Sequence, residues 1–243
     1  MTQPGHPEPP SPTPEPHRAL DRTPLTDAHA VFGTRLDVAE VYASRLASDG
    51  VQQGLIGPHE IPRLWDRHLI NSAILTDLVP VGARVVDVGS GAGLPGLPMA
   101  IRRPDLRIDL LEPMLRRVSF LTEVITELGL TESVRAWRGR AEEPDVLREL
   151  GHVDWVVARA VAPLDRLVRW CLPLLAPGGR LLALKGAKAA DEVREHRQLM
   201  RKLGAGSIDV QVLGSDVVAE PTWVVSVERA IGASSGRRRG GKR

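Results

Sequence analysis

From Arg84 onward, short apolar runs alternate with stretches in which apolar residues recur every three or four positions. Arg84–Val88, Arg107–Leu111, Val134–Trp137, Val153–Ala158 and Arg180–Leu184 are too short for independent helices, and they read as strands. The segments between them have helical spacing. Strand–helix–strand alternation builds a parallel sheet, because a parallel connection must cross back over the sheet. After a helix over Asp191–Leu203, the runs Ser207–Leu213 and Trp223–Glu228 follow with no helix between them, which predicts an antiparallel hairpin closing a seven-stranded sheet. Upstream, the spacing of Val31, Leu36, Val38, Val41 and Leu46 predicts one helix over Asp27–Leu46. Ile61, Leu64, Leu69, Ile70 and Leu75 predict a second over Pro58–Leu78. The expected organisation is a single α/β domain over residues 25–232, with N-terminal helices to residue 79 and the sheet from residue 80.

Composition adds two tails. Eight of the 20 prolines lie between Pro4 and Pro24, where almost no large apolar residue interrupts them, so residues 1–24 are expected to stay disordered. The net charge of +2 hides a concentration at the other end: Arg237, Arg238, Arg239, Lys242 and Arg243 put five positive charges in the last seven residues, leaving 2 − 5 = −3 for the rest. A basic Gly/Ser tail over residues 233–243 is expected to be disordered and to search for phosphate, with a merely solubilising role as the plainer alternative. Cys171 is the only cysteine, which excludes an intramolecular disulfide and a cysteine-rich zinc site, and no metal is expected. No apolar run approaches bilayer length and the first residues lack an apolar signal core, so a soluble, unsecreted, cytoplasmic monomer is expected.

The first strand runs into Asp87-Val88-Gly89-Ser90-Gly91-Ala92-Gly93-Leu94-Pro95-Gly96, and a helix begins after it. Glycines let such a chain turn tightly and let a ligand approach the backbone. G-x-G-x-x-G alone also fits a nicotinamide enzyme. Three features favour S-adenosylmethionine. Asp87 can balance the cationic amino-acid end of that cofactor, whereas it would repel a phosphate. Glu112, at the end of the second strand, can accept both ribose hydroxyls. Gly139-Arg140-Ala141-Glu142 follows the third strand, where a backbone amide and a polar side chain can read the adenine edge; Glu142 equally suits a helix N-terminus. Together with the hairpin ending, this resembles the class I S-adenosylmethionine-dependent methyltransferase fold, a Rossmann-like sheet whose last strand is antiparallel.

Within that class, a set of segments resembles the bacterial small-subunit (16S) ribosomal RNA guanine-N7 methyltransferases, the RsmG or GidB family. These are Trp65-Asp66-Arg67-His68-Leu69-Ile70-Asn71-Ser72, the loop Asp87–Gly96, Arg116-Arg117-Val118-Ser119-Phe120-Leu121, Arg140-Ala141-Glu142, Val157-Ala158-Arg159-Ala160 and Ala183-Leu184-Lys185-Gly186. The resemblance implies cofactor contacts at Gly89, Leu94, Glu112, Ala141, Glu142 and Arg159, to which the loop argument adds Asp87 and Gly91. It implies 16S RNA or the small ribosomal subunit as partner and S-adenosylhomocysteine as product. Two departures stand out. Asn71 replaces an acid usual in the family, so a neutral hydrogen bond is expected where an ion pair would lie. Glu220-Pro221-Thr222-Trp223 lacks a basic residue that some relatives carry.

The chemistry can be narrowed without the family. No Asn/Asp-Pro-Pro-aromatic run follows the fourth strand, and Cys171 sits in an apolar helix as a small core residue, which argues against amino-group and carbon-5 methylation. A ring nitrogen with a free lone pair needs only orientation and electrostatic positioning. Arg159, ending the fourth strand, is the candidate for that work, since a planar guanidinium can fork to guanine O6, phosphate or carboxylate. Lys185 ends the fifth strand as a second catalytic or phosphate-binding candidate. His68, Arg140, Arg237, Arg238 and Arg239 are further RNA-binding candidates, although a helix-face histidine is more often structural; Arg102, Arg103, Arg116, Arg117, Arg135 and Arg138 could extend a phosphate-binding face or be plain solvated surface. The readings left open are a nicotinamide oxidoreductase, a small-molecule methyltransferase and a non-catalytic RNA-binding assembly protein.

Overall fold

The computed structural model describes residues 25–159, 162–215, 218 and 220–232. The proline-rich arm and the basic tail, with Arg237, Arg238 and Arg239, lie outside these residues. Seven strands form one sheet: β1 (Arg84–Val88), β2 (Arg107–Glu112), β3 (Val134–Arg138), β4 (Val153–Arg159), β5 (Leu175–Lys185), β6 (Ala205–Leu213) and β7 (Thr222–Arg229). Their spatial order is β3-β2-β1-β4-β5-β7-β6, with β7 antiparallel to both neighbours and the other pairings parallel. The chain winds outward from β1 in one direction and from β4 in the other. The crevice beyond the carboxyl ends of β1 and β4 is therefore the switch point where open α/β sheets receive ligands.

Alternate residues of each strand feed two different cores. Val85, Ile108, Leu110, Val157, Leu182 and Leu184 face one side, packed with the N-terminal segment, α4 (Gly96–Arg102) and α5 (Leu115–Glu127). Val86, Val88, Val156, Ala158, Leu181 and Ala183 face the other, packed with α6 (Pro144–Leu150), α7 (Leu164–Cys171) and α8 (Ala189–Lys202). Burial on both faces is why the strands read as continuous apolar runs. Cys171 is fully buried in the second core, and burial pushes its thiol far up, out of the reactive range.

The N-terminal segment corrects the expectation of two continuous helices. The first is split into α1 (Leu25–Phe32) and α2 (Leu36–Arg45) by a 3-10 turn over Gly33–Arg35, where Gly33 takes a left-handed φ of 53° that an α-helix cannot contain. A π-helical turn over Leu46–Gly50 continues α2. The second is a chain of unlike turns: 3-10 over Pro58–Arg63 with Pro62 inside, π over Leu64–Ile70, a short α3 (Asn71–Ala73), and 3-10 over Ile74–Leu78. Pro62 has no amide hydrogen to continue an α-helical ladder. The apolar periodicity was sound, because Leu64, Leu69, Ile70 and Leu75 are all fully buried. No helix among the described residues is long and apolar enough to cross a membrane.

Candidate functional site

Asp87 is the fourth residue of β1 and has no exposed surface. Its Oδ2 accepts a hydrogen bond from the Gly96 amide at 2.9 Å, which ties the start of α4 to the strand across the loop. Its Oδ1 is buried and has no partner among the described residues. Burial raises this carboxyl to about 7, opposed by the Gly96 amide. A buried acceptor left open is costly unless something fills it, so the geometry fits a ligand that brings a cation to this end of the loop.

The glycines of the loop divide by task. A Cβ at Gly96 would lie 2.3 Å from Leu110 Cδ2 and 2.9 Å from Asp87 Oδ2, and one at Gly93 would lie 2.4 Å from Leu97 Cδ1. These two serve helix–strand packing. Gly91, with φ 58°, would point a Cβ into open space, its nearest neighbour being the Gly89 carbonyl oxygen at 3.9 Å. Its side faces the crevice, as a ligand's close approach requires. Gly96→Ala should therefore lower unfolding stability by about 2–3 kcal/mol in urea titration, the usual cost of overpacking. A midpoint equal to wild type would show that the Leu110 and Asp87 contacts relax freely.

Glu112, buried at the end of β2, holds two backbone amides: Oε2 accepts from Gly91 at 3.0 Å and Oε1 from Met114 at 3.0 Å. Arg117 lies 3.8 Å from Oε2. Each oxygen keeps a second lone pair, so the carboxylate can shape the glycine loop and still accept from hydroxyls. Beside it, a cleft of about 480 Å3 is lined by Pro113, Arg138, Gly139, Arg140 and Glu143. Ala141 is buried at its back, while Glu142 and Arg140 are exposed. Glu143 Oε2 accepts from the Arg140 amide at 3.1 Å, fixing the turn after β3. A cation-facing acid under β1, a bifunctional carboxylate at β2 and a nucleoside-sized cleft toward β3 suit S-adenosylmethionine's amino-acid, ribose and adenine parts in that order.

Arg159 ends β4 across the crevice from Asp87. Its Nη1 donates to the His68 carbonyl oxygen at 3.2 Å and to Ser72 Oγ at 3.1 Å, and Nη2 lies 2.5 Å from His68 Nδ1. Burial, then the Arg67 charge, lower its guanidinium to about 10, still charged at neutral pH. His68 is only 8% exposed, and its Nε2 lies 2.7 Å from Glu60 Oε2. Both ring nitrogens are engaged, and the structure places His68 as a partner of Arg159. Leu94 is partly buried against the first core, and Gly89 is partly exposed at the loop's start. Lys185 is turned inward, Nζ donating to the Ala162 carbonyl oxygen at 3.0 Å and to Glu192 Oε1 at 2.9 Å.

Of the remaining arginines, Arg102 is bound to Asp77, Thr76 and the Ala73 carbonyl, and Arg103 to Asp105, so both serve the fold. Arg116, Arg135, Arg138 and Arg140 stay exposed around the β2 and β3 ends. Asn71 Nδ2 donates to the Glu220 carbonyl oxygen at 3.2 Å, its Oδ1 has no partner among the described residues, and Arg63 pairs with the Glu220 carboxylate. Sequence reading missed Tyr42, which is fully buried and donates to the Ala92 carbonyl oxygen at 2.9 Å in the glycine loop. It also missed Glu60 and Ser72. No local pattern marks them, since their partners lie between 8 and 87 residues away.

Comparison with known proteins bears on most of the chain. The family model GidB, described as rRNA small subunit methyltransferase G, matches residues 35–218. A protein named Ribosomal RNA small subunit methyltransferase G from Salinispora arenicola is 53% identical, covering 92% of this chain and 98% of its own. One of the same name from Mycobacterium marinum is 56% identical, covering 85% and 90%. Among solved structures, the S-adenosylmethionine-dependent methyltransferase SibL superposes with a TM-score of 0.56 at 20% identity, over 88% of this chain and 73% of that one. The [4+2]-cyclase SpnF gives 0.50 at 18%, over 66% and 80%. These two likenesses bear on the fold alone.

Proposed function

Since the chain belongs to the GidB family, rRNA small subunit methyltransferase G, we propose that it transfers a methyl group from S-adenosylmethionine to N7 of a guanine in 16S ribosomal RNA, releasing S-adenosylhomocysteine. The observation that carries this reading is that the carboxyl ends of the adjacent strands β1 and β4 hold Asp87, with one buried oxygen that has no partner among the described residues, and the Arg159 guanidinium. One residue is built for a cationic ligand and the other for a polar substrate edge. The work belongs to the cytoplasm, where small subunits are found.

When bound, S-adenosylmethionine supplies an electrophilic methyl group on a sulfonium centre. Gly89 and Gly91 would give it backbone access, Asp87 would meet its ammonium group, Glu112 would accept from the ribose, and Ala141 and Glu142 would border the adenine. Leu94 closes the loop side. Arg159 would hold guanine O6, an oxygen with two lone pairs, and so leave the N7 lone pair free for the methyl group, while Lys185 ends β5 paired with Glu192. Guanine N7 carries no proton at neutral pH, so the protein has none to remove. Orientation and fixed charge do the catalytic work. Arg140, with Arg237, Arg238 and Arg239 of the tail, would supply phosphate contacts to the RNA.

The test is to map 7-methylguanine in 16S RNA by borohydride and aniline cleavage, using cells with and without the protein. One cleavage should disappear in the deletion strain and return with the wild-type chain. An unchanged cleavage pattern would remove the rRNA assignment.

A further inference from the structure

We infer that Glu60 and His68 form a positioning arm for Arg159, fixing one edge of its guanidinium so that the other edge is presented to the substrate as a rigid fork. The inference rests on the reading of Arg159 as the group that holds the guanine. It comes from counting hydrogens. Arginine has five, and both on Nη1 are spent on the His68 carbonyl oxygen and Ser72 Oγ. Because Nη2 also meets His68, through Nδ1, the edge between Nη1 and Nη2 is the one that faces the helical segment. That leaves the Nε hydrogen and the second Nη2 hydrogen, which are parallel, and among the described residues neither has an acceptor. Two parallel donors can both be aimed at guanine O6, whose two lone pairs accept them while the N7 lone pair stays free for the methyl group.

The same geometry fixes the state of His68. Nδ1 can accept from Nη2 only if it carries no proton, so the ring hydrogen must sit on Nε2, where Glu60 Oε2 accepts it at 2.7 Å. The charged groups acting on the ring are Arg159 and Arg67, which oppose its protonation, and Glu60, which favours it. Burial and the Arg159 charge prevail, holding the imidazole at about 4. His68 is therefore neutral throughout the working range and takes no part in proton transfer. Glu60 serves to lock the tautomer and the ring plane, in the way a carboxylate orients a metal-binding or catalytic histidine from behind. The Arg67 guanidinium, 3.5 Å from Glu60 and exposed, adds an anchor on the solvent side.

The experiment compares single-turnover methyl transfer by the full chain on small subunits that lack the modification, with cofactor affinity measured alongside. His68→Leu should slow transfer about 30-fold, while S-adenosylmethionine affinity stays within about twofold. His68→Asn keeps an acceptor at the Nδ1 position and should recover most of that loss. Added to Arg159→Ala, His68→Leu should slow the reaction by no more than about twofold, since both act through one group. A wild-type rate in His68→Leu, or losses that multiply in the double variant, overturns the positioning role while leaving Arg159 in place. A wild-type rate in Arg159→Ala instead overturns the site reading itself. Nitrogen NMR of the unmutated protein gives a check independent of any variant's folding. The His68 ring should show an unprotonated Nδ1 and a protonated Nε2 from pH 8 to about pH 5, and a doubly protonated ring at pH 7 overturns the inference.

Discussion

Asp87→Asn should abolish useful S-adenosylmethionine binding, weakening it a hundredfold or more, and at the same time make the ligand-free protein harder to unfold. The two effects share one cause. The Asp87 carboxylate is fully buried with one oxygen bonded to Gly96 and the other bare, and burial raises it to about 7 from an ordinary 3.8. The folded protein thus binds a proton that the unfolded chain has lost, and stability falls as pH rises from about 4 to about 7, then stays level. Asparagine is isosteric and uncharged, so above pH 7 it should recover on the order of 1–3 kcal/mol and raise the melting temperature by a few degrees. The charge that burdens the empty fold is the one that meets the ligand's ammonium group. In the wild type, affinity should therefore tighten by about tenfold per pH unit up to about 7, as Asp87 ionises. Above about 8 it should weaken again as the ligand's own amine loses its proton. The asparagine variant should lack the acid limb. Calorimetry between pH 5 and 9 decides this, and an acid limb that survives the substitution would move the cation site away from Asp87.

Arg159→Ala should lower the single-turnover rate on saturating RNA and cofactor by about a hundredfold, the usual size of a lost preorganised donor pair. Arg159→Lys should lose about tenfold, because charge remains while the fork is gone. Neither change should alter the shape of the pH profile. From pH 6 to 9 the rate should be flat for the wild type and both variants, since guanine N7 has no proton to surrender and His68, at about 4, does not titrate there. A rate that climbs about tenfold per unit and levels off near 6.5 would mean that a base acts, contrary to a lone-pair mechanism.

The sheet was legible to within a residue or two at most ends, because strands buried on both faces must be apolar at successive positions and their flanking helices must not be. β5 is the exception. It begins at Leu175, five residues before the apolar run, since Pro177, Gly178 and Gly179 interrupt the hydrophobic pattern without ending the pairing, and the β4–β5 register shifts there. Asp87, Glu112 and Arg159 could be placed because fold topology brings the carboxyl ends of β1, β2 and β4 together whatever the loops do. The inward turn of His68 and Lys185 could not. Sequence alone weighs contact and buried partner equally for Lys185 and favours a structural role for a helix-face histidine such as His68, but names no partner for either. What decided the matter was Glu60 for one and Glu192 for the other, carboxylates brought into reach by tertiary packing. The N-terminal turns escaped for a related reason: burial periodicity survives in π and 3-10 geometry, so the pattern reported which residues face the core without reporting the ladder that carries them.

Cys171 has a practical corollary. It is the chain's only thiol, and it is both sealed in the core and held in its unreactive protonated form. Maleimide and disulfide reagents therefore find no natural background on the folded protein. A single cysteine introduced at an exposed position, such as Arg67 on the N-terminal segment or Arg116 beside the cleft, becomes the sole attachment point for a fluorophore or spin label. With cysteines at both positions, the distance between these two elements can be followed during RNA engagement against no background from the natural thiol.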